Sequence, residues 1–303
     1  MNYVDLLEVK EVYARGDNVT EYLRKKFNEK GNTSEIIEMA YDIQAGSYIS
    51  IVESDRKKHS SFVLEIAKKL GNHIASEDSL LDVGTGELTT LSLMLNEIKT
   101  KPLQVLAFDI SWSRLSKGKI FFEENTTLKN INLETFVADM KHIPLHSKCV
   151  DVVTSIHALE PNGHNLHEIL SELFRVAKRK LILFEPSYEL GSQEGKQRMD
   201  RLGYVKGIES AVEKLGGKVS DLVPIENSVN PHNVTACYVI EPPLNDLVHL
   251  DKPEFCVPGT NYCLDRSGEF FMSKDTGLVF PIFDGIPILR NQYGILATAK
   301  FDL

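Results

Sequence analysis

The sequence has few of the features that mark membrane-spanning, secreted or nucleic-acid-binding proteins. Its apolar runs are all too short to cross a bilayer, and its first residues lack the basic region and apolar segment of a signal peptide. Four cysteines in 303 residues are too few and too scattered for a disulfide framework. These absences favour a cytoplasmic protein that makes no membrane contact.

Positive charge is also scarce. Lysine and arginine total 34 against 43 aspartate and glutamate residues, which gives a net charge of −9 at pH 7. Such a chain has no general attraction to nucleic acid or anionic membranes, although residues 178–180 form a local basic run. A nucleic-acid partner is therefore not expected. A hydrophobic content of 42% is sufficient for a folded core.

The pattern of apolar residues divides the chain into three parts. Residues 1–75 have helical spacing and predict an N-terminal helical cap. Over residues 76–243, short apolar runs alternate with amphipathic stretches, which predicts a doubly wound α/β fold with a mostly parallel sheet. Residues 244–303 begin as a proline-rich linker and continue as a small β-rich tail.

Seven of the short runs are predicted strands, and the last two have no helix between them, which favours an antiparallel pair at one sheet edge. The predicted strands are Ser79–Val83, Gln104–Phe108, Glu134–Val137, Val150–Ser155, Lys180–Phe184, Lys218–Pro224 and Val234–Ile240. The predicted helices include Thr20–Phe27, Ser34–Ala40, Ser60–Leu70, Leu166–Val176 and Met199–Leu215.

A glycine turn follows the first of these strands in the sequence LLDVGTGEL. Gly84 and Gly86 allow a tight turn and the close approach of a ligand, and Asp82 at the strand end can accept a hydrogen bond from an ammonium group. A glycine turn after any buried strand has the same appearance, so this motif alone is weak.

Acids also follow the second and third strands. Asp109 lies 23 residues after Gly86, where a carboxylate can pair with both hydroxyls of a ribose, although it can equally cap the next helix in competition with Ser111. Asp139 can accept from an adenine amine beside the apolar Met140, or can be an ordinary turn residue. Three such features converge at the carboxyl edge of one sheet, where open α/β sheets bind ligands.

These motifs resemble the class I S-adenosylmethionine-dependent methyltransferases, in particular the type 11, ubiquinone-biosynthesis-like group. The resemblance covers residues 40–240, including LLDVGTGE, VLAFD, VADM, VDVVTS and SELFRVAKRKLILFEP. It implies a Rossmann-like sheet of seven strands with the last one antiparallel, and S-adenosyl-L-methionine as cofactor. It also implies that the loop from Asp82 holds the methionine moiety, Asp109 the ribose, and Asp139 with Met140 the adenine. The expected cofactor contacts are Asp82, Gly84, Thr85, Gly86, Asp109, Ile110, Asp139, Met140 and Ser155.

The chain departs from this family at two positions. Leu88 replaces a frequent third glycine, and AKRK replaces a glycine pair before the fifth strand. A dinucleotide-dependent dehydrogenase is the main alternative for a glycine loop followed by an acid. That class needs a third glycine for its pyrophosphate, and Glu87, expected to face the next helix start, would repel this group.

The loop HALEPNGHN follows the fourth strand and is expected over the cofactor methyl group. His157 is the candidate general base because its pKa falls near neutrality, and Glu160 is the candidate group that orients it. His157 can equally pack over the adenosyl group, and His164, a further catalytic candidate, can instead cap the next helix with Asn165. The candidate acceptor contacts are Tyr41, Gln44, Tyr48, Asn162, Glu185 and Tyr188. The aromatic residues can also be simple packing, and Glu185 a solvated charge.

The end of the tail, GLVFPIFDGIPIL, resembles a small zinc-ribbon-like family that includes an activator of methyltransferases. This chain offers Cys256 and Cys263 where structural zinc normally needs four ligands, so we predict a metal-free tail in which both are buried as small apolar residues.

The leading hypothesis is O-methylation of a small molecule or saccharide in a biosynthetic pathway. The alternatives are an RNA or protein methyltransferase aided by its activator-like tail, and a non-catalytic scaffold that binds S-adenosylmethionine.

Overall fold

The computed structural model describes residues 6–128, 131–228, 234–244 and 250–301. Its centre is a seven-stranded sheet in the order β3-β2-β1-β4-β5-β7-β6. The first five strands are parallel, and β7 runs antiparallel to both β5 and β6. This topology confirms the predicted fold and its antiparallel edge pair. The strands are β1 Ser79–Val83, β2 Gln104–Asp109, β3 Leu133–Val137, β4 Val150–Ile156, β5 Ala177–Pro186, β6 Lys218–Pro224 and β7 Thr235–Glu241.

Alternating side chains of the central strands enter two separate apolar layers. In β1 all five residues are buried. Leu81 and Val83 join the layer that also contains Phe108, whereas Leu80 joins the opposite layer with Val105. Helices cover both faces, so these strands are continuous apolar runs, which is why the sequence predicts them well.

Helices surround the sheet and precede it. Helix α8 spans the predicted residues, but the single helix predicted over Met199–Leu215 is wrong. Two helices occupy this region because Gly203 and Gly207 adopt left-handed φ angles of +69° and +68° between them. The helices are α1 Leu6–Ala14, α2 Val19–Phe27, α3 Ser34–Ile43, α4 Ser47–Ser54, α5 Arg56–Gly71, α6 Thr89–Glu97, α7 Trp112–Asn125, α8 Leu166–Val176, α9 Gln193–Leu202 and α10 Ile208–Lys214.

Helix α5 packs on one face of the sheet, and the N-terminal helices α1–α4 form a cover beside the carboxyl ends of the strands. Its own small core includes Val9, Leu23 and Ile36. Asp42, in α3, fastens the cover to the sheet because it accepts hydrogen bonds from the Ser111 and Ser113 hydroxyls at 2.7 and 3.0 Å. Among the described residues, no helix has the length and apolarity needed to cross a membrane.

The tail forms a second, antiparallel sheet. It docks beside β3, where Val137 and Ile288 form a parallel bridge and the Leu289 N–H donates to the Val137 carbonyl at 2.9 Å. The next residue, Arg290, is 1% exposed and forms an ion pair with Glu38 of α3. The tail strands are β8 Asp265–Ser267, β9 Phe270–Met272, β10 Leu278–Phe283, β11 Ile286–Pro287 and β12 Ile295–Leu296.

One of the two tail cysteines differs from its prediction. Cys256 is buried as predicted, but Cys263 is exposed; the two residues pair through a backbone β-bridge, and both thiols are free. Within the described ranges, no three His, Cys, Asp or Glu residues are grouped to hold a metal ion. The metal-free tail remains a prediction. Residues 229–233 before β7 and 245–249 of the expected linker lie outside the described residues.

Candidate functional site

A cavity of about 530 Å³ opens at the carboxyl ends of β1–β4, beneath the N-terminal cover. Most of the predicted site residues line this one cavity. They are Tyr41, Gln44, Tyr48, Asp82, Gly84, Thr85, Gly86, Asp109, Ile110, Asp139, Met140, His157, Glu160 and Asn162. Ser155, His164, Glu185 and Tyr188 are not among the lining residues.

The glycine loop requires both of its glycines. Gly84 and Gly86 adopt φ angles of +67° and +59°, a region that other residues rarely occupy. A Cβ atom at Gly84 would lie 2.5 Å from Cβ of Ala158 and 2.6 Å from Cε of Met140. The loop therefore brings bare backbone to the cavity wall, as the close approach of a ligand needs.

Asp82 is prepared for a cationic partner. It is 3% exposed, and its Oδ1 atom has no hydrogen-bond partner among the described residues. Burial raises the pKa of Asp82 to about 7; the neighbouring Thr85 hydroxyl opposes this rise, but its Oγ1 also lacks a well-formed hydrogen bond. An orphaned carboxylate oxygen at the cavity fits the ammonium group of the S-adenosylmethionine methionine moiety.

Asp109 is held at the cavity by two backbone N–H groups. Oδ2 accepts from Gly86 and Oδ1 from Ser111, both at 2.9 Å. The helix-cap alternative is wrong, because the Ser111 hydroxyl caps α7 by accepting from the Arg114 N–H at 3.2 Å. Each Asp109 oxygen has a further lone pair, so the carboxylate is fixed in place and still able to accept from ribose hydroxyls.

Asp139 is both a turn residue and a residue of the cavity wall, the two alternatives that the sequence left open. Its Oδ1 accepts the Lys141 N–H at 3.0 Å and so forms a turn. It also lines the cavity together with Met140. The turn fixes the carboxylate at the β3 end, which leaves Oδ2 for an adenine amine.

Leu88 and Glu87 make the loop different from a dinucleotide-binding loop. Leu88 is fully buried and has a φ angle of +54°, so it adopts the left-handed conformation that a glycine would adopt without strain. Glu87 does not face the start of α6 as expected. Its oxygens accept the N–H groups of Gly46 and Ile49, at the start of α4, at 3.0 and 2.9 Å.

The predicted pairing of His157 with Glu160 is present, with 3.3 Å between Nδ1 and Oε1. The other ring nitrogen, Nε2, lies 2.8 Å from the Thr235 hydroxyl. Burial lowers the pKa of His157 to about 4 and raises that of Glu160 to about 7, where the Tyr204 hydroxyl is a further partner. With both nitrogens engaged, His157 presents no free lone pair, and Glu160 is the better candidate base.

Ser155 and Glu185 lie just beneath this loop. One Glu185 oxygen accepts from the Ser155 hydroxyl at 2.8 Å and from the N–H groups of Ala158 and Leu159 at 3.0 and 3.1 Å. Glu185 is fully buried, and burial raises its pKa to about 8, so the solvated-charge alternative is wrong. Ser155 and Glu185 therefore stabilise the loop after β4 through hydrogen bonds and do not line the cavity.

Two other predicted residues lie away from the cavity. His164 is exposed and packs against Gly31, so it does not join His157 and Glu160. Tyr188 donates to Asp200 at 3.2 Å outside the lining. Asn165 occupies the N-cap position before α8 but makes no capping hydrogen bond through its side chain.

Sequence reasoning missed several lining residues, including His59, Phe62, Arg114, Arg198 and Tyr204. Arg114 was detectable, because a cation in the first turn of a helix opposes the helix dipole and therefore suggests a specific partner. Its guanidinium packs over the Tyr48 and Tyr41 rings at 4.6 and 5.2 Å.

Residues 81–184 match the family described as methyltransferase domain. No curated protein matches the chain. Among solved structures, one chain of a complex that contains a methyltransferase activator of Haloferax volcanii shares 15% sequence identity with this chain. The match covers 67% of this chain and 97% of the other chain, with a TM-score of 0.51. The magnesium protoporphyrin IX methyltransferase of Synechocystis shares 13% identity, with 78% and 99% coverage and a TM-score of 0.48. A methyltransferase of Aquifex aeolicus shares 20% identity, with 60% and 93% coverage and a TM-score of 0.44.

At 15% identity, the Haloferax volcanii complex bears on the fold alone. The domain match spans β1 to β5, the part of the chain that carries the glycine loop and the acids at the strand ends. Those residues fit S-adenosyl-L-methionine in charge, hydrogen bonding and backbone shape. The chain therefore contains a methyltransferase domain, over residues 81–184, that uses S-adenosyl-L-methionine as its cofactor.

Proposed function

We propose that the protein methylates an oxygen of a small molecule or saccharide in a biosynthetic pathway. The observation that carries this proposal is the cavity of about 530 Å³ at the strand ends, which in this proposal holds both the cofactor and the acceptor. The helices of the N-terminal cover form one wall of it, so an acceptor must enter an enclosed site. A small acceptor suits this shape better than a nucleic-acid or protein surface.

The cofactor occupies the sheet side of the cavity in this proposal. Asp82 binds its ammonium group, Asp109 its ribose and Asp139 its adenine amine, while the glycine loop lies against it. When bound, S-adenosylmethionine supplies a methyl group on a cationic sulfur. The protein's own contribution is to hold the acceptor oxygen in line with that group, which can remove much of the barrier.

The acceptor occupies the opposite side, between the cover and the loop after β4. Tyr41, Tyr48 and Tyr204 form aromatic walls, and Asn162 offers an amide. Glu160 would accept the proton that the acceptor hydroxyl loses when its oxygen is methylated. His157 holds Glu160 through its Nδ1 atom and is itself held by Thr235.

We propose that the tail supports this site from outside. One short segment, residues 288–290, pairs with the end of β3 and then binds α3 through Arg290 and Glu38. Tyr293 also donates a hydrogen bond to Glu38, at 2.8 Å. Since β3 leads to Asp139 and α3 carries Tyr41, the segment joins two walls of the cavity.

The test is methyl transfer from S-adenosylmethionine with a tritiated methyl group. Purified protein is incubated with a panel of phenols, catechols and monosaccharides, and separately with total RNA and with a protein lysate. The proposal expects label in a small hydroxyl compound, and label that Glu160→Gln abolishes. Label that enters only RNA or protein contradicts the proposal, and cofactor binding without transfer to any acceptor indicates the scaffold alternative.

A further inference from the structure

Glu87 connects the cofactor loop to the lid, which we define as residues 44–52. Both carboxylate oxygens of Glu87 are used by lid backbone, one by Gly46 and one by Ile49. The Glu87 side chain is fully buried. Helix α4 begins at Ser47 and lacks a side-chain cap of its own, because Gly46 precedes it. Glu87 therefore caps this helix from 38 to 41 positions away in the chain.

The same carboxylate is tied to the ligand side of the cavity. Glu87 directly follows Gly86 in the chain, and the N–H of Gly86 donates to Asp109. Its Oε1 atom lies 3.6 Å from Nε of Arg114, and the Arg114 guanidinium packs over the ring of Tyr48 in the lid. The lid is thus bonded both to the residue after the glycine loop and to the helix after Asp109.

The lid forms part of the acceptor side of the cavity. Gln44, Tyr48, Ile51 and Val52 line it. A further lid contact, from Lys117 to the Ala45 carbonyl at 2.8 Å, comes from outside the cofactor loop. Because both Glu87 oxygens are occupied by N–H groups of the lid, Glu87 is placed to hold backbone rather than to take a proton from an acceptor.

We propose that Glu87 is a positioning residue that transmits cofactor binding to the lid, so that the acceptor side is completed only after the cofactor is bound. The inference rests on the proposed function because that proposal identifies which side of the cavity binds the acceptor. The contact between the glycine loop and the lid is observed independently of that proposal. A ligand that orders Gly84–Gly86 and Asp109 also fixes Glu87, and a fixed Glu87 holds the N-terminus of α4. The acceptor then binds second.

The experiment measures amide hydrogen exchange of the full chain with and without S-adenosylhomocysteine, which is the probe ligand. In the wild type, we expect the ligand to slow exchange across the lid about tenfold. In Glu87→Gln, the ligand should still bind with a Kd within about threefold of the wild-type value, while its effect on lid exchange is lost. Glu53→Gln on the exposed face of α4 is the matched control and should retain the full effect.

A second variant keeps the test decisive if Glu87→Gln is unstable. Lys117→Met removes a lid contact that does not involve the cofactor loop, so the lid should exchange faster while the ligand-induced slowing persists. An unchanged ligand effect in Glu87→Gln, or loss of the effect in Lys117→Met, overturns the inference. Failure of the wild type to bind S-adenosylhomocysteine overturns the cofactor assignment instead, whereas binding without any lid effect overturns only this inference.

Discussion

The Oδ2 atom of Asp109 accepts the backbone N–H of Gly86 with 2.9 Å between the two atoms. This contact joins the end of β2 to the loop that follows β1. The same carboxylate that we assign to the ribose therefore also fixes the glycine loop. The two halves of the proposed cofactor site are one hydrogen-bonded unit.

Replacing Asp109 should weaken cofactor binding. We expect Asp109→Ala to raise the Kd for S-adenosylhomocysteine on the order of 100-fold, because hydrogen bonds to a charged group contribute about 1.5–3 kcal/mol each. Isothermal titration calorimetry measures this change. The exposed Asp221 provides a matched control, Asp221→Ala, which should bind normally. Equal affinities for Asp109→Ala and wild type would remove Asp109 from the ribose role.

The pH dependence of turnover should follow Glu160. A base must be ionised to accept a proton, and burial raises the pKa of Glu160 to about 7, so kcat should rise as the pH increases through 7. His157, with its pKa lowered to about 4, stays neutral throughout this range. We expect Glu160→Gln to lower kcat by about 10²–10⁴-fold and to remove the rise.

The matched control for this profile is Glu168→Gln, at an exposed position in α8.

The raised pKa of Glu160 also affects folding stability in a known direction. Because the folded state favours the protonated form of Glu160, its contribution to stability is complete below pH 4.5 and is lost as the pH rises through about 7. A flat pH–rate profile for the wild type between pH 6 and 8, checked by initial rates, would exclude Glu160 as the base.

At Leu88, a glycine variant should be more stable than an alanine variant, which is the reverse of the order expected in an ordinary helix or strand. Either substitution empties a buried site and should lower the free energy of unfolding by about 2–4 kcal/mol. At a φ angle of +54°, glycine relieves strain of about 1 kcal/mol that alanine retains. Urea unfolding should therefore find Leu88→Gly more stable than Leu88→Ala, and the opposite order would show that the left-handed conformation is not strained.

The ion pair between Arg290 and Glu38 should be energetically coupled. Arg290 is fully buried, so Glu38→Gln leaves its charge without a partner and should lower the free energy of unfolding by about 3 kcal/mol. Glu38 is partly exposed and keeps its hydrogen bond from Tyr293, so Arg290→Met should lower it less. The double variant should lose clearly less than the sum of the two. Chemical denaturation of the four proteins measures this coupling. Additive losses would show that the tail and α3 do not support each other.

The sequence predicts the central sheet well because its strands are short apolar runs between helices. It misses the first residues of β5, since Ala177–Arg179 are mostly charged and join the strand through its pairing with β4. It joins α9 and α10 because helical periodicity persists across Gly203 and Gly207, whose left-handed conformations only the fold reveals.

In the candidate site, the sequence identifies the groups at the strand ends because parallel strands bring their carboxyl ends together. It fails for groups whose partners are distant in the chain. Glu87 caps a helix of the N-terminal cover, and Glu185 is buried under the loop after β4 rather than facing an acceptor. These roles depend on tertiary contacts between segments that carry no common local pattern.

The measurement that tests the central claim most directly is a crystal structure of the protein with S-adenosylhomocysteine. The account predicts one ligand in the cavity, with its amino group on Asp82, its ribose hydroxyls on Asp109 and its adenine beside Asp139 and Met140. A ligand bound elsewhere, or one that leaves the Asp82 and Asp109 carboxylates untouched, would contradict it.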